Sequence, residues 1–227
     1  MPLKNTDISI EHIISALKEP LPGKQAHISM LPEGRDLTDS DTNHSINKSA
    51  VLILIYPEGD ELYFCLTKRN SMLKHHPGQI SFPGGRCENH ETDPWVTSLR
   101  ETKEEIGVPQ NQIKLIGKLS EVFVKVSNFI IYPYIGFSSE KPDFKVNHNE
   151  VEALIVLPLM SILSDNNRTT RMINTSLGPM NVPCYHISDN IIWGATSMMI
   201  AELEAILKQY YSRRGAHSDN VDNGQEP

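Results

Sequence analysis

From Gly84 to Gly107 the chain reads GGRCENHETDPWVTSLRETKEEIG, with six acidic residues, a glycine pair at its start and one Arg-Glu dipeptide near its end. Asp93-Pro94 makes a sound helix start, because aspartate caps free amide groups and proline suits the first turn; Gly107 and Pro109 end the helix. At helical pitch Glu101, Glu104 and Glu105 share one face, with Val96, Leu99 and Ile106 roughly opposite. Carboxylates at this spacing sit about 5–6 Å apart at Cβ and repel one another. The plain reading is a solvated face. The sharper one is a bound cation: clustered oxygen ligands beside a glycine turn suit Mg²⁺ or Mn²⁺, which take a few carboxylates and fill the shell with water and substrate phosphates. Gly84-Gly85 would let a backbone carbonyl approach the same ion. Arg100 would fix the rotamer of Glu101 through a forked hydrogen bond.

The rest of the chain interleaves strands and helices. Apolar residues at 10, 13, 14 and 17 predict a short amphipathic helix, stopped by EPLPG. The segment 34–48 is polar and reads as a loop. SAVLILIYP and ELYFCLTKR, joined by EGD, predict a β-hairpin. IKLIGKLSEVFV and NFIIYPYIGFS read as strands, EVEALIVLPLMSIL as a strand leading into a helix, and ATSMMIAELEAILKQYY as a closing helix. The segment 212–227 has almost no apolar residues and is expected to be a disordered tail.

At 227 residues the chain suits one domain with a substantial core, placed here at 1–211 with a helical and loop extension over 1–48. A net charge of -7 argues against a broad nucleic-acid surface, and any anionic substrate would need local cations or a metal. Cys65, Cys87 and Cys184 are odd in number and widely spaced, which suggests neither a disulfide framework nor a zinc motif and fits a reducing cytoplasm. AVLILIY, from Ala50 to Tyr56, is too short to cross a membrane, and neither terminus reads as a secretory or peroxisomal signal. DSDTNH, from Asp39, imitates the start of a calcium loop but has His44 and Ala50 where glycine and glutamate are needed. Two glycosylation patterns, at Asn43 and Asn47, have no secretory context.

Gly85, Glu91, Arg100-Glu101, Glu104-Glu105 and Gly107-Val108 resemble the Nudix box, G-x5-E-x7-R-E-U-x-E-E-x-G-U with U apolar, so the box spans 85–108. Eight residues instead of seven separate Glu91 from Arg100, and Thr102 takes the first apolar position. The spacing and the upstream run CLTKRNSMLKHHPGQISFPGG, from Cys65 to Gly85, are similar to the coenzyme A diphosphatase branch, with Asn70 and Lys74 replacing the usual serine and arginine. Within that run Lys68, Arg69, Lys74, His75 and His76 gather positive charge that suits a phosphate-rich ligand. A zinc site for the histidine pair lacks regular spacing.

The resemblance implies an α/β Nudix fold, a mixed β-sheet between helices, and an enzyme that hydrolyses coenzyme A or its derivatives at the diphosphate. Glu101, Glu104, Glu105 and the Gly84 carbonyl would hold Mg²⁺ or Mn²⁺, and Arg100 and Glu101 would belong to the catalytic set. Glu150 is the first candidate for an acidic residue downstream of the box and Glu152 the second, with Glu101 also open as the base. Arg69, Lys74, His76, Gln79 and Ser81 would contact substrate, with backbone capping the plain alternative for the last two. The partner is a small molecule, with no nucleic acid or membrane, and a homodimer is left open. The rival readings are a Nudix hydrolase of ADP-ribose or another nucleoside diphosphate derivative, and an inactive Nudix-fold nucleotide-binding module. The retained crowd of repelling carboxylates weighs against the binder.

Overall fold

A computed structural model describes residues 8–35, 46–73, 77–175 and 178–218, with side chains given as far as Arg213. Its central element is strand β1 (Asn47–Glu58), in which seven consecutive residues, 50–56, are buried. An unbroken apolar run of this kind suits a strand covered on both faces. β1 forms the expected hairpin with β2 (Glu61–Arg69), Ile55 opposite Phe64, and runs parallel to β7 (Phe129–Phe137), Ala50 beside Tyr132.

These strands belong to a mixed sheet. β3 (Ile80–Ser81) and β8 (Val151–Pro158) pair with β2, β4 (Gly84–Arg86) with β1, and β5 (Lys114–Lys118) and β6 (Val122–Val124) with β7. Alternation along β1 divides the core into two layers. Leu52, Leu54 and Tyr56 meet Leu99 and Ile106 of helix α3 (Pro94–Ile106). Val51, Ile53 and Ile55 share the opposite layer with Ile13 of α1 (Ile10–Ala16) and Leu203 and Leu207 of α4 (Ala195–Ser218). Each such buried side chain contributes about 1.5–3 kcal/mol. The result is the expected mixed sheet between helical layers.

The structure departs from the sequence reading in several places. A second sheet of β9 (Arg168–Thr175), β10 (Gly178–Ile187) and β11 (Asn190–Trp193) and a short helix α2 (Lys24–Ile28) were not anticipated. The segment after β8 is a 3-10 turn over Leu159–Leu163, not an α-helix. Asn47 and Lys48, read as loop, already belong to β1. Helix α4 continues beyond Ser212 to Ser218, where a disordered tail was expected to begin. The Ser212 hydroxyl donates to Lys208 O at 2.9 Å, and Arg213 pairs with Glu19 at 2.6 Å. Residues 219–227 and the calcium-like stretch 39–44 lie outside the described residues.

Helix α4 is unusual in burying two glutamates, Glu202 and Glu204. Buried carboxylates persist only with partners. Glu202 accepts from the Ser120 hydroxyl at 2.6 Å, lies 2.9 Å from His27 Nε2 of α2, and accepts from Gly23 N at 3.1 Å. Glu204 accepts from the Tyr185 hydroxyl of β10 and pairs with Lys208 and Arg168. One helix thereby fastens α2 on one side and the second sheet on the other. His27→Ala should lower unfolding stability by about 1–3 kcal/mol, the cost of leaving a buried acceptor short of its partner; chemical denaturation of the two proteins measures the difference.

Candidate active site

Helix α3 begins and ends as its sequence dictates. The Asp93 carboxylate accepts from Trp95 N at 2.9 Å, Pro94 opens the first turn, and Gly107 closes the helix at φ 75°, a left-handed conformation that suits glycine. The faces sort differently from expectation. Val96 is 48% exposed, whereas Thr97, Ser98, Thr102 and Glu105 are buried. Short hydroxyls can turn back on their own helix. Ser98 Oγ donates to Trp95 O and Thr102 Oγ1 to Ser98 O, both at 2.7 Å, so threonine tolerates the position where an apolar residue is usual.

Arg100 organises the acidic face. Its Nε donates to Glu91 Oε1 at 2.9 Å and Nη2 to Glu91 Oε2 at 3.3 Å, while Nη1 donates to Glu101 at 2.8 Å and to Glu104 at 3.0 Å. The extra residue between Glu91 and Arg100 is absorbed because Glu91 folds back, accepting also from Thr97 Oγ1 at 2.7 Å and Glu88 N at 2.8 Å. Glu91 is thus the anchor of Arg100, a role sequence spacing alone did not reveal. Its side chain is 3% exposed. The Arg100 hydrogen bonds hold its carboxyl at about 2, below the usual carboxylate range. Its contribution to stability is therefore complete above the ordinary carboxylate pKa and is lost as pH falls through about 2.

The glycine pair makes room on two sides, Gly85 for the Glu101 carboxylate and Gly84 for strand β1. β4 pairs with β1, Gly85 opposite Ala50 and Gly84 opposite Val51. A Cβ on Gly85 would lie 2.5 Å from the Glu101 carboxylate, and one on Gly84 would strike the Ala50 carbonyl and come within 2.6 Å of Val51 Cα. Gly84 N donates to Glu105 Oε2 at 3.3 Å. Burial pushes the Glu105 carboxyl up to about 8; the Gly84 amide and Arg69 oppose the rise, and Glu101 and Glu150 add to it. Burial also raises Glu101, against the pull of Arg100.

Glu150 therefore lies where its charge acts on both Glu101 and Glu105, fixed by Asn70 N donating to Glu150 O at 2.8 Å. Glu152 points elsewhere, pairing with Lys68 at 2.6 Å on the surface. That pair also takes Lys68 from the basic run. Arg69 borders the acidic site, and its backbone N donates to Gln79 O at 2.9 Å; Ser81 pairs with Thr67 in the β2–β3 ladder. Lys74, His75 and His76 lie outside the described residues. Cys65, Cys87 and Cys184 are free, and burial pushes the Cys65 thiol up to about 12.

Among the described residues no three His, Cys, Asp or Glu side chains form a ready cation cage. Arg100 pairs with oxygens of Glu101 and Glu104 together. The donor set still suits a hard divalent cation: Glu105 is buried where the charges of Glu101 and Glu150 add to its proton affinity, and Glu104 is 52% exposed.

The NUDIX domain family model matches residues 46–174, and the chain belongs to the Nudix family. Nudix hydrolases generally use divalent metal cations. The chain is 32% identical over 171 residues to Nudix hydrolase 22, chloroplastic, of Arabidopsis thaliana, covering 71% of this chain but only 56% of that relative's length. It is 28% identical over 169 residues to the peroxisomal coenzyme A diphosphatase NUDT7 of Mus musculus, covering 72% of this chain and 71% of that one. The solved Nudix hydrolase RenU from M. smegmatis is 16% identical with a TM-score of 0.49, over 81% of this chain and 94% of that chain. No helix among the described residues is long and apolar enough to cross a membrane.

The raised Glu105 pKa has a testable sign. The folded, metal-free protein keeps a proton that the unfolded chain releases near the ordinary carboxylate value, so this group makes stability fall as pH rises from about 4.5 to about 8. Glu105→Gln should remove that slope in metal-free protein; thermal melts of both proteins across this range measure it.

Proposed function

We propose that this chain is a divalent-metal-dependent diphosphatase acting on coenzyme A or its derivatives, yielding 4'-phosphopantetheine and adenosine 3',5'-bisphosphate. The observation that carries the hydrolase reading is the single guanidinium of Arg100 gathering Glu91, Glu101 and Glu104 beside the buried Glu105. The coenzyme A preference rests on the Cys65–Gly85 run and on the similarity to a relative named as a coenzyme A diphosphatase.

In this reading Glu101, Glu104, Glu105 and the Gly84 carbonyl would hold Mg²⁺ or Mn²⁺, which would supply positive charge to offset that of the diphosphate and to acidify a water. Arg100 holds Glu101, and Glu104 would be shared between Arg100 and the cation. Glu150, beside Glu101 and Glu105, takes the proton from the attacking water as the P–O bond to the leaving phosphate breaks. Glu152, neutralised by Lys68, is the poorer base. Arg69 meets a substrate phosphate at the site's edge, with Gln79 and Ser81 shaping the adjoining strand.

Glu104→Gln should reduce Mg²⁺-dependent turnover by at least about 100-fold with the fold retained, the scale expected when a group stabilising transition-state charge is removed; unchanged turnover removes the metal role. Chromatographic assay of coenzyme A against ADP-ribose should favour coenzyme A in kcat/KM. Faster ADP-ribose cleavage would assign the chain to the rival substrate class.

A further inference from the structure

Asn147 lies on the loop before β8, outside every motif considered above, yet all its polar groups are engaged between two parts of the acidic site. Its backbone N donates to Glu105 O in the last turn of α3 at 2.9 Å. Its carbonyl accepts from Glu150 N at 3.0 Å and Val151 N at 2.9 Å. The side-chain oxygen accepts from Asn149 N at 3.2 Å, which turns the amide so that Nδ2 donates to Glu150 Oε1 at 3.3 Å.

The loop is pinned independently from the β2 side. Asn70 Nδ2 donates to His148 O at 2.9 Å, and Asn70 N donates to Glu150 O at 2.8 Å. Lys145 N adds a bond to Ile106 O at 2.9 Å, so the loop is tied to the end of α3 at two points. Backbone bonds place the Glu150 main chain, but only the Asn147 amide, among the contacts described for that carboxylate, sets the rotamer of the side chain itself. The donor is neutral, so it orients the carboxylate without forming the ion pair that occupies Glu152.

We propose that Asn147 is a positioning residue that aims the Glu150 carboxylate at the water attacking the diphosphate, in register with the metal-binding end of α3. This rests on the assignment of Glu150 as base. Misplacing a reacting group by about 1 Å can cost on the order of 100-fold in rate. Asn147 therefore acts on turnover through Glu150 and not on substrate affinity.

The test compares Asn147→Ala and Asn147→Asp in the wild-type and Glu150→Gln backgrounds, with Mg²⁺ and coenzyme A, or ADP-ribose if that is the faster substrate. Asn147→Asp keeps the acceptor for Asn149 N and removes the donor to Glu150, so it separates rotamer control from loop integrity. Both variants should lower kcat by about 10- to 100-fold with KM changed by less than about 2-fold, and neither should matter once Glu150 is Gln, because residues acting as one unit are not additive. Full kcat in both variants, or equal losses in both backgrounds, overturns the inference while leaving the proposed hydrolase intact. Full activity of Glu150→Gln itself removes the base assignment, and this inference with it.

Discussion

Arg100 lies among Glu91, Glu101 and Glu104, and the acidic face of α3 depends on this contact. Without a cation, three carboxylates around one helix turn and a fourth folded back from the preceding loop would repel one another and loosen the segment that must be fixed. A guanidinium suits the task because its planar fork serves several oxygens at once and never loses its charge. Glu91 secures it from the side away from Glu104, so release of Glu104 would leave Arg100 in place. The acidic face is thus organised by the protein's own charges.

The sheet supplies the second constraint. Glu101 has room beside the sheet because Gly85 has no side chain, and the bare Gly84 lets β4 lie against Ala50 and Val51 of β1, with which it pairs. Backbone shape and electrostatics are coupled at this point: the turn that lets the carboxylates in also withdraws Glu105 from water and raises its proton affinity.

Much of this was legible in the sequence. SAVLILIYP, EGD and ELYFCLTKR announced a hairpin, and Asp93-Pro94 and Gly107 both ends of α3, because caps and periodicity are local properties. The Arg-Glu and Glu-Glu pairs in the box likewise pointed to a charged site. What escaped depends on contacts far along the chain. Helical spacing suggested that Val96 was inward and Glu105 outward, but β4 covers Glu105 and nothing covers Val96. β9 buries none of its residues and β10 only four of ten, so their apolar alternation is weak. Glu152 stood second to Glu150 in the sequence, and what separates them in space is a bond from Lys68, 84 positions away.

The parallel pairing of β1 with β7 has a consequence for how the protein is assembled. Parallel neighbours require a long crossover, and here that crossover contains the entire acidic helix. The ladder from Asn47 beside Phe129 to Ile55 beside Phe137 closes a large loop, whose entropy opposes early assembly. Since α3 packs on residues of β1 and its glutamates lean on β4, the acidic site is complete only when that distant closure is made. Half-folded chains would therefore lack the acidic site even where the helix had formed, and its assembly would follow the final joining of the sheet.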